Sequence, residues 1–419
     1  MKILLLNTHS TLNSGDTGIV LAQVKLLRGC WPGARISLTS RTPDIDRPFY
    51  EPLGISVLDP IIPAPGVFLG AMRKCGGSLK NLINLQGKLN LLSAIRESNL
   101  VISSGGGYLY SYGRDFPGPT FLQHFLHLKL AQAYNKPVIF FPQSFGPFAN
   151  RAAARMCGSI LRGRNILKIF AREHISRSLL LDLMGNDGGG KVALCPDAAF
   201  LLEPGEDRRA RDFISSLHRP ILALTLRDWH FPEAASVSDK IIAREKYLSS
   251  MLEVSSSFLR RFGGTVVVVP QVRGPDLLEN DLHISREFVR RSGEMALGDR
   301  ILLPLAEAFD SPQDIIALLS RADLVLATRF HSVVFALLAK TPVVAVGYHH
   351  KASGILEELG LERFLVDISD ISPDKILPLL VELMENRARW RDKIAGMVGS
   401  ARKMIYFRLG NTLKEFQLR

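Results

Sequence analysis

The 419-residue sequence holds only four cysteines, Cys30, Cys75, Cys157 and Cys195. They are scattered, with no CxxC pair and no zinc-finger spacing. Neither a disulfide framework nor a metal site is expected, and a reducing, cytoplasmic setting fits best. Long apolar runs are missing too: no stretch reaches the roughly 18 apolar residues that span a bilayer. The apolar start, Met1–Leu6, gives way at once to Asn7, His9, Asn13 and Asp16. It reads as a first strand and not as a targeting segment. There is no GxGxxG fingerprint, no P-loop, no short-period repeat and no low-complexity tract.

What is present is an ordinary globular composition, 47% hydrophobic and 22% charged, with a formal net charge of +12. The length exceeds one typical core, so two domains of about 200 residues each are expected. The basic balance favours anionic partners: phosphorylated metabolites, anionic lipid surfaces or nucleic acid. No nucleic-acid-binding motif accompanies the charge, so nucleic acid is not expected. The charged run Glu203–Arg211, with Pro204 and Gly205, reads as the linker. It divides residues 1–203 from residues 212–386, and a basic helical tail, 387–419, follows. The tail docks on the body or lies on a membrane surface. The basic stretch Gly66–Leu92 reads as a solvated helix and loop or as an acceptor-facing or membrane-facing flap.

Apolar runs alternate with helical patterns along both halves, the mark of α/β units. The stretch Ala322–Gly347 shows it best. Leu324–Ala327 and Val343–Val346 read as buried strands, joined by a helix over Ser332–Lys340 that stops before Pro342. Arg329 and His331 fall between the first strand and the helix, where open α/β sheets bind anions. They form a phosphate or carboxylate clamp, or else Arg329 caps local structure and His331 is a satisfied core histidine. Asn7–Gly18 is a polar loop after the first strand. Its Gly15-Asp16 is a ligand-binding turn or a helix cap. Gly105, Gly106 and Gly107 follow the strand Leu100–Ser103, letting backbone pass close to a ligand or to other backbone. Pro142–Pro147 reads as another strand-end loop, and Gln143 and Gln271 at strand ends join the cleft-lining set.

Several stretches resemble the polysaccharide pyruvyl transferase family: Asn13–Asp16, Val101–Tyr108, Gln143–Pro147, Ala171–Glu173, Pro196–Phe200, Thr328–Ser332 and Gly347–Lys351. The family often shows Arg-Leu-His where this chain has Arg-Phe-His, hydrophobic in both. The resemblance implies a GT-B-like α/β fold, two Rossmann-like domains facing a central cleft. The amino-terminal domain is then the acceptor side, and the carboxyl-terminal domain holds the donor. The implied donor is phosphoenolpyruvate, a co-substrate, with no cofactor and no metal. The implied product is a sugar carrying pyruvate as a cyclic ketal. Arg227, Arg329 and His331 map onto the donor site, and Lys351 looks like a further cation there.

On that footing His331 is the general acid for the donor's methylene carbon, or an imidazolium that holds phosphate. Asp16 is the candidate base, with Asp228 and Glu279 behind it. Arg329, placed at a turn, reads as replaceable without loss of fold. The alternative is a GT-B glycosyltransferase using a nucleotide sugar, with Glu357 or Glu358 on the ribose. The acceptor sugar rides on a lipid pyrophosphate, a nucleotide or a polymer. Peripheral contact with an anionic inner membrane face fits the charge.

Overall fold

The computed structural model describes residues 1–62, 84–112, 116–185, 188–205, 208–275, 279–295, 297–304, 311–348 and 350–418. The basic stretch Gly66–Leu92 therefore lies partly outside the described residues. Two compact units emerge: Met1–Leu201 with Ala401–Arg419, and Leu202–Ser400.

The first unit is built on eight strands: β1 (Lys2–Leu6), β2 (Arg35–Thr39), β3 (Ile55–Leu58), β4 (Leu100–Ser103), β5 (Gly106–Ser111), β6 (Val138–Phe148), β7 (Ile166–Ala171) and β8 (Val192–Leu194). Their order is β3-β2-β1-β4-β6-β7-β8, with β5 on β6, and every pairing is parallel. Parallel strands bury both faces, which is why Ile3–Leu6 and Leu100–Ile102 are unbroken apolar runs. The winding reverses between β1 and β4, whose last pair is Leu6 with Ser103. The chain therefore leaves the sheet side by side there, as Asn7–Ser10 and as Ser104–Gly105.

Two segments read as loops turn out to be strand. Gly106–Ser111 pairs with β6, and β6 runs eleven residues through Pro142-Gln143-Ser144. Proline in a strand interior normally argues against a strand, because it offers no N–H to the ladder. Here Pro142 falls where the register with β7 shifts, between Phe140 and Gln143, so the missing donor sits at an irregularity.

The second unit carries β9 (Ile221–Leu224), β10 (Thr265–Val268), β11 (Ile301–Leu302), β12 (Leu324–Ala327), β13 (Val343–Gly347) and β14 (Leu365–Asp367). The order β11-β10-β9-β12-β13-β14 is that of a doubly wound sheet numbered 3-2-1-4-5-6, again all parallel. Its reversal lies between β9 and β12. The helix after β12, Phe330–Leu338, is buried from Ser332 to Leu338. Its Val, Leu and Phe side chains contribute about 1.5–3 kcal/mol each, enough to fix where the helix begins.

The final helix, Arg387–Gln417, belongs to both units. Ile394 and Val398 are buried in the second, and Ile405, Leu409 and Leu413 in the first. No helix among the described residues is long and apolar enough to cross a membrane.

Candidate functional site

The reversal point of the second sheet is stitched by two threonines. Thr328 N–H donates to Thr225 Oγ1 (3.0 Å), and Thr328 Oγ1 donates to the Thr225 carbonyl (2.8 Å). These bonds hold the ends of β9 and β12 together, so Arg227 and Arg329 leave the sheet as neighbours in topology. Tyr247, buried on the helix Val237–Phe262, accepts from Arg227 N–H (3.3 Å) and bonds to Thr328.

Arg329 is nearly buried and ends on Asp281. Its Nε (3.1 Å) and Nη2 donate to Asp281 Oδ1, and Nη2 also donates to the Glu279 carbonyl (2.9 Å). The other Asp281 oxygen accepts from Gln271 N–H (3.2 Å) and Val272 N–H (2.9 Å). Burial pushes the Asp281 carboxyl up, and Arg329 and the Val272 N–H pull it back. Burial works hardest against the Arg329 charge, but Asp281, Tyr348 and Glu279 together outweigh it, so the guanidinium holds its proton firmly. Arg329 also stands as the N-cap of Phe330–Leu338 with no side chain closing that helix end. An open helix amino terminus favours an anion.

Arg227 is half-buried and lies against two rings, 4.9 Å from the Trp229 centroid and 4.4 Å from Tyr348. Its Nη1 donates to the Tyr348 hydroxyl. Asp281 feels Arg227 as well as Arg329, and Arg329 feels Tyr348, so both guanidiniums share one electrostatic neighbourhood. Buried donors are left over here: Arg227 Nε and Gln271 Nε2 have no hydrogen-bond partner among the described residues. A set of spare donors beside two arginines is complementary to a ligand made of acceptor oxygens, such as a phosphate or carboxylate.

His331 lies on the first turn of the same helix, two residues past Arg329, its ring 4.8 Å from Phe330. Lys351 is in the helix His350–Glu358, and its side chain lies outside the described residues. Asp228 is held by both terminal oxygens on Arg244 (2.7 and 3.1 Å), inside a network with Glu287, Arg291 and Glu245. Glu279 meets Arg329 through its main-chain carbonyl. Glu357 and Glu358 are exposed.

In the first unit, Asn13 caps the helix Ser14–Cys30, accepting from Gly15 N–H (3.0 Å) and Asp16 N–H (3.4 Å). Gly15 is thus spent on the cap, and Asp16 sits on the first turn, 3.3 Å from His9 Nδ1. Gly105 is required by other backbone: an added Cβ would lie 2.8 Å from the Pro142 carbonyl oxygen and 2.9 Å from Ile19. Gly106 has φ +112°, and Gly107 follows it in β5. Gln143 is buried. The triplet Asp44-Ile45-Asp46 is an Asp-x-Asp. Its carboxylates part: Asp44 is exposed on Arg47, and buried Asp46 accepts from Thr11 N–H (2.9 Å) and from neighbouring hydroxyls.

Sequence reasoning missed Asp281, Tyr348, Tyr247 and Trp229 as site residues. Asp281 lies 48 positions from Arg329, a separation no local pattern reports. Tyr348 did carry a signal, since it sits between β13 and the Lys351 helix.

Comparison with known proteins adds the following. A family model described as polysaccharide pyruvyl transferase matches residues 13–350. The amylovoran biosynthesis protein AmsJ of Erwinia amylovora is 24% identical, over 96% of each chain. Among solved structures, Anabaena HepE in complex with UDP and glucose aligns with TM-score 0.58 at 14% identity, covering 99% of this chain and 100% of that one. Sucrose-phosphate synthase of Thermosynechococcus elongatus aligns with TM-score 0.59 at 14% identity, covering 100% and 98%. The UDP-GlcNAc 2-epimerase of Neisseria meningitidis gives 0.55 at 13%, covering 98% and 100%. These structures share the GT-B-like fold, two Rossmann-like units in an α/β chain.

Proposed function

Since the chain belongs to the polysaccharide pyruvyl transferase family, we propose that it moves pyruvate from phosphoenolpyruvate onto two hydroxyls of a sugar as a cyclic ketal. The work serves polysaccharide biosynthesis, a reading supported by the likeness to an amylovoran biosynthesis protein. One observation carries the donor assignment: Arg227 and Arg329 stand at the reversal point of the second sheet with buried donors unspent beside them. Phosphoenolpyruvate brings a phosphate and a carboxylate, and two guanidiniums match two anions.

In this reading His331 gives a proton to the donor's methylene carbon, making it a methyl group and leaving the central carbon electron-poor. A sugar hydroxyl oxygen bonds to that carbon and loses its proton. The C–O bond to phosphate breaks, and a second hydroxyl closes the ketal. Arg227 and Arg329 stabilise the charge gathering on the departing phosphate. Asp281 keeps Arg329 in place and charged.

The test is thermal. Phosphoenolpyruvate at 100 times its Kd should stabilise the chain by about 2.7 kcal/mol, and UDP should leave the midpoint unmoved. The reverse pattern would replace this reading with a nucleotide-sugar glycosyltransferase. Turnover is then followed as phosphate released from phosphoenolpyruvate across a panel of acceptor sugars.

A further inference from the structure

From Ala401 onward the last helix packs on the first unit by one row of side chains, Ile405, Leu409 and Leu413, each four residues after the one before. The opposite side carries a second row. Lys403, Phe407 and Lys414 follow one another at helical spacing, with Met404 and Arg408 one residue on beside the first two. All five are exposed.

A helix that buries one stripe ordinarily turns charged and polar residues to water on the other side. This one turns out apolar side chains as well. Met404 is 45% exposed, Tyr406 50% and Phe407 64%, and no other described Phe, Tyr or Trp is as exposed as Phe407. A single exposed apolar side chain is ordinary. Three of them within one turn form a patch, and a patch marks a contact surface.

The charges around the patch are nearly all of one sign. Between residues 401 and 418, Arg402, Lys403, Arg408 and Lys414 stand against Glu415 alone. Arg402 is tied to the Phe200 carbonyl. Lys403, Arg408 and Lys414 form no ion pair among the described residues. Helices elsewhere in the chain do the reverse. On Asp281–Glu294, Arg290 is paired with Glu294, and Arg291 with Glu287 and Glu245.

Unpaired cations around an apolar patch complement a surface that is negative outside and apolar beneath. A bilayer with anionic headgroups has both layers. A second copy of the chain would set the same cations against these, and like charges facing each other repel. Lysine and arginine suit the rim of such a contact, because their stems lie along apolar surface while their charged ends reach phosphate.

We propose that the outer face of residues 403–414 is the surface by which the chain rests on an anionic bilayer. Met404 and Phe407 enter the headgroup layer, and Lys403, Arg408 and Lys414 meet lipid phosphates. The inner row stays on the first unit, so binding asks for no unfolding. The two expectations for the basic tail, docking on the body and lying on a membrane, are then met by opposite sides of one helix. The proposal does not depend on the pyruvyl-transfer reading.

Vesicle binding by the full chain tests this, with no turnover needed. The chain should sediment with vesicles of phosphatidylcholine and phosphatidylglycerol mixed about three to one, and not with phosphatidylcholine alone. Raising salt to about 0.5 M should lower partitioning by roughly tenfold or more. Replacing Lys403 and Arg408 together by Ala should lower it about 30-fold, or roughly fivefold per charge. Phe407→Ser should lower it about tenfold. These side chains are exposed, so the urea midpoint should hold in both variants. Phe407→Trp should add a fluorescence signal that brominated lipid quenches in the anionic vesicles, above that of the three native tryptophans. Equal binding to both kinds of vesicle, or binding to neither, would overturn the proposal. Binding that survives unchanged in the variants would overturn it too, placing the lipid contact elsewhere on the chain. A doubled mass in solution that Phe407→Ser abolishes would make this face a contact between copies instead.

Discussion

Arg329 and Arg227 differ in what the protein loses with them. Arg329 is one half of a buried ion pair, so Arg329→Ala strands the Asp281 carboxylate. Breaking such a pair costs about 3–5 kcal/mol, and the expectation that Arg329 is replaceable without loss of fold is corrected accordingly. Arg227 is half-buried and leans on Trp229 and Tyr348, with no carboxylate partner among the described residues. Arg227→Met should therefore abolish phosphate release from phosphoenolpyruvate while moving the urea midpoint little. Equal destabilisation by the two substitutions would contradict this contrast. His127 sets a second residue-scale prediction. Burial holds its pKa at about 4, below the ordinary imidazole value near 6.5. The folded pKa is the lower one, so this stability is complete above pH 6.5 and is lost as pH falls toward 4. The loss is roughly 3 kcal/mol. His127→Gln should flatten that limb of a plot of unfolding midpoint against pH.

At the scale of elements, the glycines after β4 serve packing first. Gly105→Ala drives a methyl group into the Pro142 carbonyl, and Gly106→Ala asks a side chain to adopt φ +112°. Each should cost about 1–3 kcal/mol in urea unfolding. Gly189→Ala, whose Cβ would meet nothing within 4 Å, should be neutral. Buried strands were legible in the sequence because parallel sheets demand unbroken apolar runs, as in Ile3–Leu6 and Leu324–Ala327. β5 and the far half of β6 were not, because Gly106-Gly107 and Pro142 are turn residues by every local rule. Arg329 was legible as a cation at a strand end. Its anchor Asp281 was not, since only the folded chain brings the two together. His124 and His127 lie three apart on one helix, and only the folded chain brings the Asn7 oxygen between them.

At the scale of the whole molecule, the last helix completes the first unit. Ile405, Leu409 and Leu413 are buried there, Arg402 Nε donates to the Phe200 carbonyl (2.8 Å), and Phe416 meets Trp31 edge-on at 6.3 Å. Ending the chain at Ser400 removes these contacts. Three lost leucine-sized side chains at about 1.5–3 kcal/mol each should bring a large fall in the unfolding midpoint of the first unit, read by near-ultraviolet signal from Trp31. An unchanged midpoint would show that the closing segment is dispensable.

The same division has a consequence for biogenesis. A ribosome delivers Met1–Leu201 long before Ala401–Arg419. The first unit must wait, through synthesis of the entire second unit, for the segment that completes it. During that interval the apolar surface that Ile405, Leu409 and Leu413 meet is open to chaperones and proteases. A nonsense codon within 401–419 would then harm the unit whose other residues are translated first.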